Sequence, residues 1–273
     1  MSIEQLLLGR FFPKPVRDDV FKLYSFVRTV RDFTEVNPAE VEKFEHLEHR
    51  WTTIKGQLAG KLVPTPLDGS ASEHVLANIA YLTHRYGFDP AWTDAFLKSM
   101  RWDIQKHQYR SLKDLSEYMY GSSEVIGLML ISILGLPEEY MKPARIQGRA
   151  MQYIVFLRDI AAQNERGFSY FPANDVKKYG LKNLSEEEVR SKPGMFTDFI
   201  HAELLRYAQW QAEANDGFIR IPRRMRVPLQ SLVDMHTWTA RKLKYDPMAV
   251  FDRQLKPHRR HLVRHVVRRS IYR

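Results

Sequence analysis

The 273-residue chain contains no cysteine, which excludes a disulfide framework and thiolate chemistry and fits a reducing compartment. Long apolar runs are missing too. The opening stretch MSIEQLLLGRFFPKP has an apolar segment too short for a secretory leader, and nothing later reaches membrane-span length, so a soluble cytoplasmic protein is expected. There is no sustained period-two alternation, internal repeat, low-complexity tract, Gly-rich phosphate loop or His/Cys metal cluster. The 14 prolines and 13 glycines are scattered without a linker, which favours a single domain spanning 1–273 with a substantial core.

Acid is missing from one place in particular. Lys256 to Arg273 holds seven Lys or Arg and three His but no Asp or Glu, and without it the formal charge of +10 would fall to +3. With Leu262, Val263, Val266 and Val267 at helical spacing, this tail suits either an anionic membrane surface or packing against the body. No basic groove or binding module accompanies it elsewhere, so nucleic acid is not expected as a partner.

What is present is helical periodicity. Val20, Tyr24 and Val27 form an inward stripe whose next position is Arg31, with Arg28, Asp32 and Glu35 close beside it on the helical projection. Such a helix either leaves the core for solvent before Asn37-Pro38 or delivers charge to the mouth of a cavity. Asp18 or Asp19 is placed at its start, where acids suit the positive end of the helix dipole. Further helical patterns run from Pro38 to Leu62, Ser72 to Tyr86 and Pro90 to His107. Ser111 is expected to cap one helix running to Leu134, and later ones follow at Phe196–Phe218 and Leu229–Leu243. Gly121, Ser122, Ser123 and Gly127 leave room for a second helix or a slender ligand. The fold class is all-α.

The central stretch is GRAMQYIVFLRDIAAQNERGFSYFP, Gly148 to Pro172. Ile146, Ala150, Ile154, Leu157 and Ala161 mark an apolar helical face, while Gln152, Val155, Asp159 and Gln163 mark another that looks into something polar. Arg158 beside Asp159 puts opposite charges in an apolar helix, which requires either an internal ion pair or a ligand.

Leu23–Glu35, LYSFVRTVRDFTE, and Gly148–Pro172 together resemble the two Asp-rich motifs of the squalene/phytoene synthase family. There a Tyr, an Arg and D-D-x-x-D share one helix, and Q-x-x-N-x-x-R-D-x-x-x-D leads into G-R-x-Y-x-P. FFP at Phe11–Pro13, YMYGSSEVIGLM at Tyr118–Met129 and PMAVFDRQLK at Pro247–Lys256 extend the resemblance along the whole chain. It implies a helical isoprenoid synthase fold around a central cavity, in which two prenyl diphosphates are joined head to head with magnesium bridging carboxylates and diphosphate.

Position by position, Tyr24, Arg28, Asp32, Gln152, Arg158, Asp159 and Tyr170 match the family. Arg31 stands at the first Asp and Glu35 at the last, Val155 replaces the metal-binding Asn, Gln163 the final Asp, and Phe168 the Arg of the diphosphate segment. Ser2, Glu4 and Gln5 stand in place of a Ser-x-Ser-Phe element. The resemblance assigns catalytic roles to Tyr24, Asp32, Glu35, Asp159 and Tyr170, and diphosphate contacts to Arg28, Arg31, Gln152, Arg158 and Arg253. It gives Val125, Leu128, Met129 and Val155 to the cavity wall and leaves Asp159 and Glu35 as metal ligands. Magnesium binding is therefore expected to be weakened, and Arg31 is expected near Asp159 across an apolar cavity. With no nicotinamide-binding motif, no NADPH is expected and a phytoene-type product is favoured over squalene.

Two readings stand. One is a phytoene-synthase-like prenyltransferase, condensing prenyl diphosphates or transferring a prenyl group, cytoplasmic or peripheral at the membrane. The other is a non-catalytic relative that keeps the fold as a lipid-binding, assembly or partner subunit, with a homologous synthase subunit as partner. The Arg158-Asp159 pair, Gln152 and the two tyrosines favour the first, and the altered metal positions favour the second.

Overall fold

Apolar residues at spacings of three and four can be buried only if the helices carrying them turn those faces toward one another. The computed structural model describes residues 12–36, 38–62, 65–105, 108–218, 221, 223–252 and 255. In chain order it has α1 (Lys14–Glu35), α2 (Val41–Ala59), α3 (Ala71–Tyr86), α4 (Pro90–Gln105) and α5 (Leu112–Met119). A π-helical turn (Tyr120–Glu124) leads into α6 (Val125–Ile133), α7 (Met141–Arg158) and α8 (Ile160–Glu165). Then come α9 (Ala173–Lys178), α10 (Glu186–Ser191), α11 (Pro193–Phe218) and α12 (Arg223–Tyr245). Among the described residues there is no strand, only an isolated bridge between Gln108 and Ser169, as the all-α expectation requires. The chain divides into two compact units, Met1–Lys106 with Tyr120–Arg145, and His107–Met119 with Ile146–Arg273.

In the first unit, α1 opens after Pro13 with Pro15 in its first turn, where a missing N–H leaves no bond unmade. Leu23, Phe26 and Val30 are fully buried, and burial continues through Phe33 and Thr34 in the last turn. The helix thus stays in the core to its end, and only its polar side is open. Asp19 is not a helix-start residue as the sequence suggested. It is 3% exposed, accepts from the Tyr86 hydroxyl and Lys22 Nζ at 2.7 Å each, and so ties α1 to α3. A second buried pair, Arg50 Nε to Glu73 Oε1 at 2.9 Å, ties α2 to α3, and Ser70 caps α3 by accepting from the Glu73 N–H.

The single helix expected from Ser111 to Leu134 is interrupted by the π turn, and the small residues there serve backbone contact. A Cβ on Gly121 would lie 2.0 Å from the Ala95 carbonyl oxygen, and one on Gly127 would lie 2.5 Å from that of Ala144. Ser111 does cap α5 as expected, accepting from the Asp114 N–H at 3.2 Å.

In the second unit the apolar face of α7, with Ala150, Ile154 and Leu157, is fully buried. Beside it the Tyr153 hydroxyl donates to the Glu203 carboxylate, and Arg206 Nη1 donates to the Tyr153 oxygen at 3.2 Å and to Asp175 at 3.0 Å. Burial pushes the Glu203 carboxyl up, and burial with the Glu203 charge pushes the Tyr153 hydroxyl well above its ordinary value. Each member of this network has a partner, as a buried polar cluster needs.

The glycine geometry sets opposite outcomes for two alanine substitutions. Gly121→Ala must displace rigid backbone on α4 and should lose about 1–3 kcal/mol. Gly56→Ala, on an exposed turn of α2 with nothing within 4 Å of the added carbon, should gain up to about 1 kcal/mol. Thermal unfolding followed by circular dichroism reads both, and equal melting temperatures for the two variants would contradict the assignment.

Candidate functional site

Each unit carries one of the charged clusters singled out in the sequence. On α1, Arg28, Arg31, Asp32 and Glu35 share a face by their spacing of three and four. Arg28 Nε lies 3.6 Å from Asp32 Oδ2, both side chains being about 60% exposed, and Arg31 Nη1 lies 3.9 Å from Glu35 Oε1. These are loose pairs beyond hydrogen-bonding reach, of the kind that contributes little to stability. Arg31 is half-buried and makes a firmer contact elsewhere: its Nη2 donates to the Ser122 carbonyl at 3.1 Å. That carbonyl belongs to the π turn, where the helical ladder is locally disrupted. Tyr24, two turns before Arg31, is half-buried. Val125, Leu128 and Met129 are buried in this unit.

The π turn also holds a residue that the sequence reading passed over. Glu124 has a fully buried side chain and accepts from Arg145 Nε at 3.0 Å, while the Arg145 guanidinium lies over the Tyr120 ring. An acid inside the apolar run GSSEVIGLMLISIL was the available signal.

In the second unit the organising helix is not continuous. Asp159 leaves helical geometry at φ −100° and ψ 23°, ending α7 and starting α8. Adjacent residues on an unbroken helix do not face each other. Here Arg158 grips Asp159 in a fork, Nε to Oδ1 at 2.7 Å and Nη2 to Oδ2 at 2.6 Å.

Gln163 holds the break closed. Its Nε2 donates to the Phe156 carbonyl at 2.7 Å, and its Oε1 accepts from the Tyr170 N–H at 3.3 Å. The side chain is buried, 7% exposed, so the expectation that Gln163 faces a polar space with Gln152, Val155 and Asp159 is corrected. Those three are half-buried, whereas Gln163 is buried by its bonds to the Phe156 carbonyl and the returning segment.

The returning segment forms an aromatic wall. Tyr170 stacks on Phe156 at 3.8 Å between centroids and 15° between planes, and Phe168 meets Tyr170 edge-on at 4.4 Å. Tyr118 brings its hydroxyl to 3.2 Å from that of Tyr170, and Tyr109 stacks behind at 6.1 Å. Phe156 is four residues from Gln152 and three from Asp159, so the stack rises from their side of α7. Phe168, which stands where the family has an arginine, is part of this wall.

His236 on α12 is the other residue that the sequence reading missed, being one polar residue inside an apolar helical stripe. It is 4% exposed, and its pKa is pushed down to about 4 by burial and by the positive charge of Arg158. Arg253 and the tail 256–273 lie outside the described residues, as do Ser2, Glu4 and Gln5.

Magnesium requires several oxygen ligands in near-octahedral array. At the five positions where the family contacts metal, Arg31 is a cation, Val155 has no donor and the Gln163 amide is engaged at both ends by backbone. Asp159 has both oxygens on Arg158, and the exposed Glu35 faces Arg31. Among the described residues no group of three or more His, Asp or Glu could hold a metal ion. The residues present do not fit a magnesium cluster.

The environment of His236 makes stability depend on pH. Between about pH 6.5 and about pH 4 the unfolded chain binds a proton at this residue and the folded chain does not, so stability falls as pH falls through that window. The loss is on the order of 3 kcal/mol. His236→Phe should flatten this part of the profile in urea unfolding measured from pH 7 to pH 4, and an unchanged slope would show that His236 is not the source.

Comparison with known proteins places this geometry. The model of the squalene/phytoene synthase family matches residues 4–261. The chain is 24% identical over 175 residues to a 15-cis-phytoene synthase of Paracoccus sp. (strain N81106 / MBIC 01143), covering 64% of this chain and 57% of that protein. It is 26% identical over 198 residues to the chloroplastic phytoene synthase 1 of Arabidopsis thaliana, covering 64% and 46%. The match thus spans about half the length of these curated relatives. Among solved structures, a dehydrosqualene synthase in complex with ligand superposes with a TM-score of 0.81 at 20% identity, covering 99% of this chain and 92% of that one. A squalene synthase from Alicyclobacillus acidocaldarius gives 0.74 at 18%, covering 89% and 88%. These two likenesses concern the fold, and the match along residues 4–261 establishes descent: the chain belongs to the squalene/phytoene synthase family.

Proposed function

We propose that this chain binds a prenyl diphosphate and acts on it as a phytoene-synthase-like prenyltransferase, by head-to-head condensation or by transfer of a prenyl group. The observation that supports this reading most is the Phe156–Tyr170 stack, raised beside Gln152 and the Arg158-Asp159 fork. Prenyl transfer breaks the bond between C1 and the diphosphate oxygen. The diphosphate leaves with the electron pair, an allylic cation forms, and an acceptor double bond captures it before a proton is lost. Aromatic faces stabilise a nearby cation through their quadrupole and exclude the water that would quench it. Arg158, held rigid by Asp159, suits the leaving anion.

The second reading, a non-catalytic lipid-binding or partner subunit, is favoured by one observation: both ends of the Gln163 amide are committed to backbone at a metal-ligand position. Incubating the purified chain with C15 and C20 prenyl diphosphates, then measuring released diphosphate and extracted lipid by mass, separates the two. The catalytic reading expects turnover that Tyr170→Leu lowers roughly ten- to a hundred-fold, with Tyr170→Phe close to wild type because the stack survives, and little change in analogue binding for either. Binding without release under any condition supports the subunit reading instead.

The tail 256–273 supports peripheral attachment to an anionic membrane, and no helix among the described residues is long and apolar enough to cross one. Truncation after Gln254 should abolish binding to acidic vesicles, and salt should weaken the binding of the intact chain steeply. Salt-insensitive binding would refute the electrostatic account.

A further inference from the structure

Resting on the reading that the chain ionises a prenyl diphosphate, we propose that His236 is the base of that reaction, its Nδ1 taking the proton that the carbocation sheds near the diphosphate held by Arg158. The ring is buried on α12, 4% exposed, in the same compact unit as the Arg158-Asp159 fork and the Phe156–Tyr170 stack.

The fold alone gives no reason for an imidazole there. Among the described residues nothing bonds to Nδ1, and a buried nitrogen left without a partner costs stability that an apolar ring of similar size would not. Other buried polar groups of this unit show the ordinary solution. The Thr239 hydroxyl on the same helix donates to the Met235 carbonyl at 3.3 Å, and the Gln147 and Gln211 amides bond each other at 3.1 and 2.8 Å. With its proton on Nε2, the His236 ring keeps an unengaged electron pair at Nδ1.

The surroundings keep that pair available. Burial and the positive charge of Arg158 both disfavour the imidazolium and push the pKa down to about 4, so the ring is neutral at physiological pH. So weak a base would serve few reactions, since a general base works best with a pKa near the working pH. A carbocation is the exception. The C–H bond beside its charge is acidic enough for a weak base, and the requirement is that the base be unprotonated when the cation forms.

The step balances within the site. Once the diphosphate has left with the bonding electrons and the new carbon–carbon bond has formed, the positive charge lies on the former acceptor. The electron pair of an adjacent C–H bond becomes the second bond of an alkene, and the proton goes to Nδ1. The diphosphate oxygens are a stronger base than this imidazole and take the proton on, restoring neutral His236. No oxidant or reductant enters.

The test is product analysis by mass after incubating the full chain with C15 and C20 prenyl diphosphates, with released diphosphate measured separately. Wild type should release diphosphate and yield alkene. In His236→Phe and His236→Asn the cation should survive until water captures it, so the ratio of alkene to alcohol should fall roughly a hundredfold, at the low end of what a positioned base supplies. Diphosphate release should fall less than about fivefold, because ionisation precedes the proton transfer. A purely structural role would lower alkene and alcohol together, and an unchanged ratio in folded variants overturns the inference. Circular dichroism checks that each variant is folded. A measurement on the unaltered chain stands beside them: in protein labelled with nitrogen-15 histidine, the imidazole that stays neutral at about pH 5 should carry its proton on Nε2. A proton on Nδ1 overturns the inference even if neither variant folds. Release of diphosphate with only alcohol from wild type overturns the role of His236 and leaves the prenyl diphosphate reading intact. No release from wild type overturns the inference together with the reading beneath it.

Discussion

The break at Asp159 is the constraint from which the second unit's chemistry follows. A continuous helix through this point would aim Arg158 and Asp159 roughly 100° apart. At the break the two charges close into a fork, and Gln163, two turns beyond Phe156, holds the Phe156 carbonyl with one end and the Tyr170 N–H with the other. The second of those bonds fixes the returning segment, so the ring of Tyr170 lands flat on Phe156. The fork, the amide bonds and the aromatic wall are gathered around this one departure from helical geometry.

Charge is used in two distinguishable ways along this chain. Asp19, Glu73, Glu124 and Glu203 are all nearly or fully buried acids, and each has a cation or a hydroxyl within bonding distance. Desolvation makes any other arrangement too costly. On the exposed side of α1 the opposite holds: the acids are open to water and their arginines stand off at 3.6 and 3.9 Å. Ion pairs of this kind contribute little to stability.

Most of the fold was legible in the sequence because its signals are local. Spacing placed the helices, Ser111 caps the helix it was expected to cap, and Gly87 ends α3 with φ at +65°. Where reading failed, the cause was an assumption of continuity. Counting 100° per residue through Asp159 hid the break at which Arg158 closes on it, and counting through Ser122 hid the π turn that gives Arg31 its anchor. Asp19 was misplaced for a related reason, since Pro15 lets the helix begin a turn earlier than the acids suggest. Glu124 and His236 went unnoticed because a single polar residue in an apolar stripe is silent until its burial is known. The identities of the candidate site residues were visible through their resemblance to a family, while what each one touches was not.

The substitutions at the metal positions are better understood as coupled than as losses. An Asp at 163 would be one methylene shorter than Gln and, as a carboxylate, could not donate. The Phe156 carbonyl would lose its side-chain donor at 2.7 Å, and the tether on Tyr170 would be strained or lost. The amide that removes a metal ligand is therefore the same group that secures the aromatic wall. Phe168 acts in the same direction, replacing a diphosphate-contacting arginine with an edge-on ring against Tyr170. Arg31, a cation bonded to the π turn, restores positive charge on the other motif helix. Taken singly, each change removes a piece of a magnesium site. Taken together, they leave an aromatic surface in the second unit and a cation bonded to the π turn in the first.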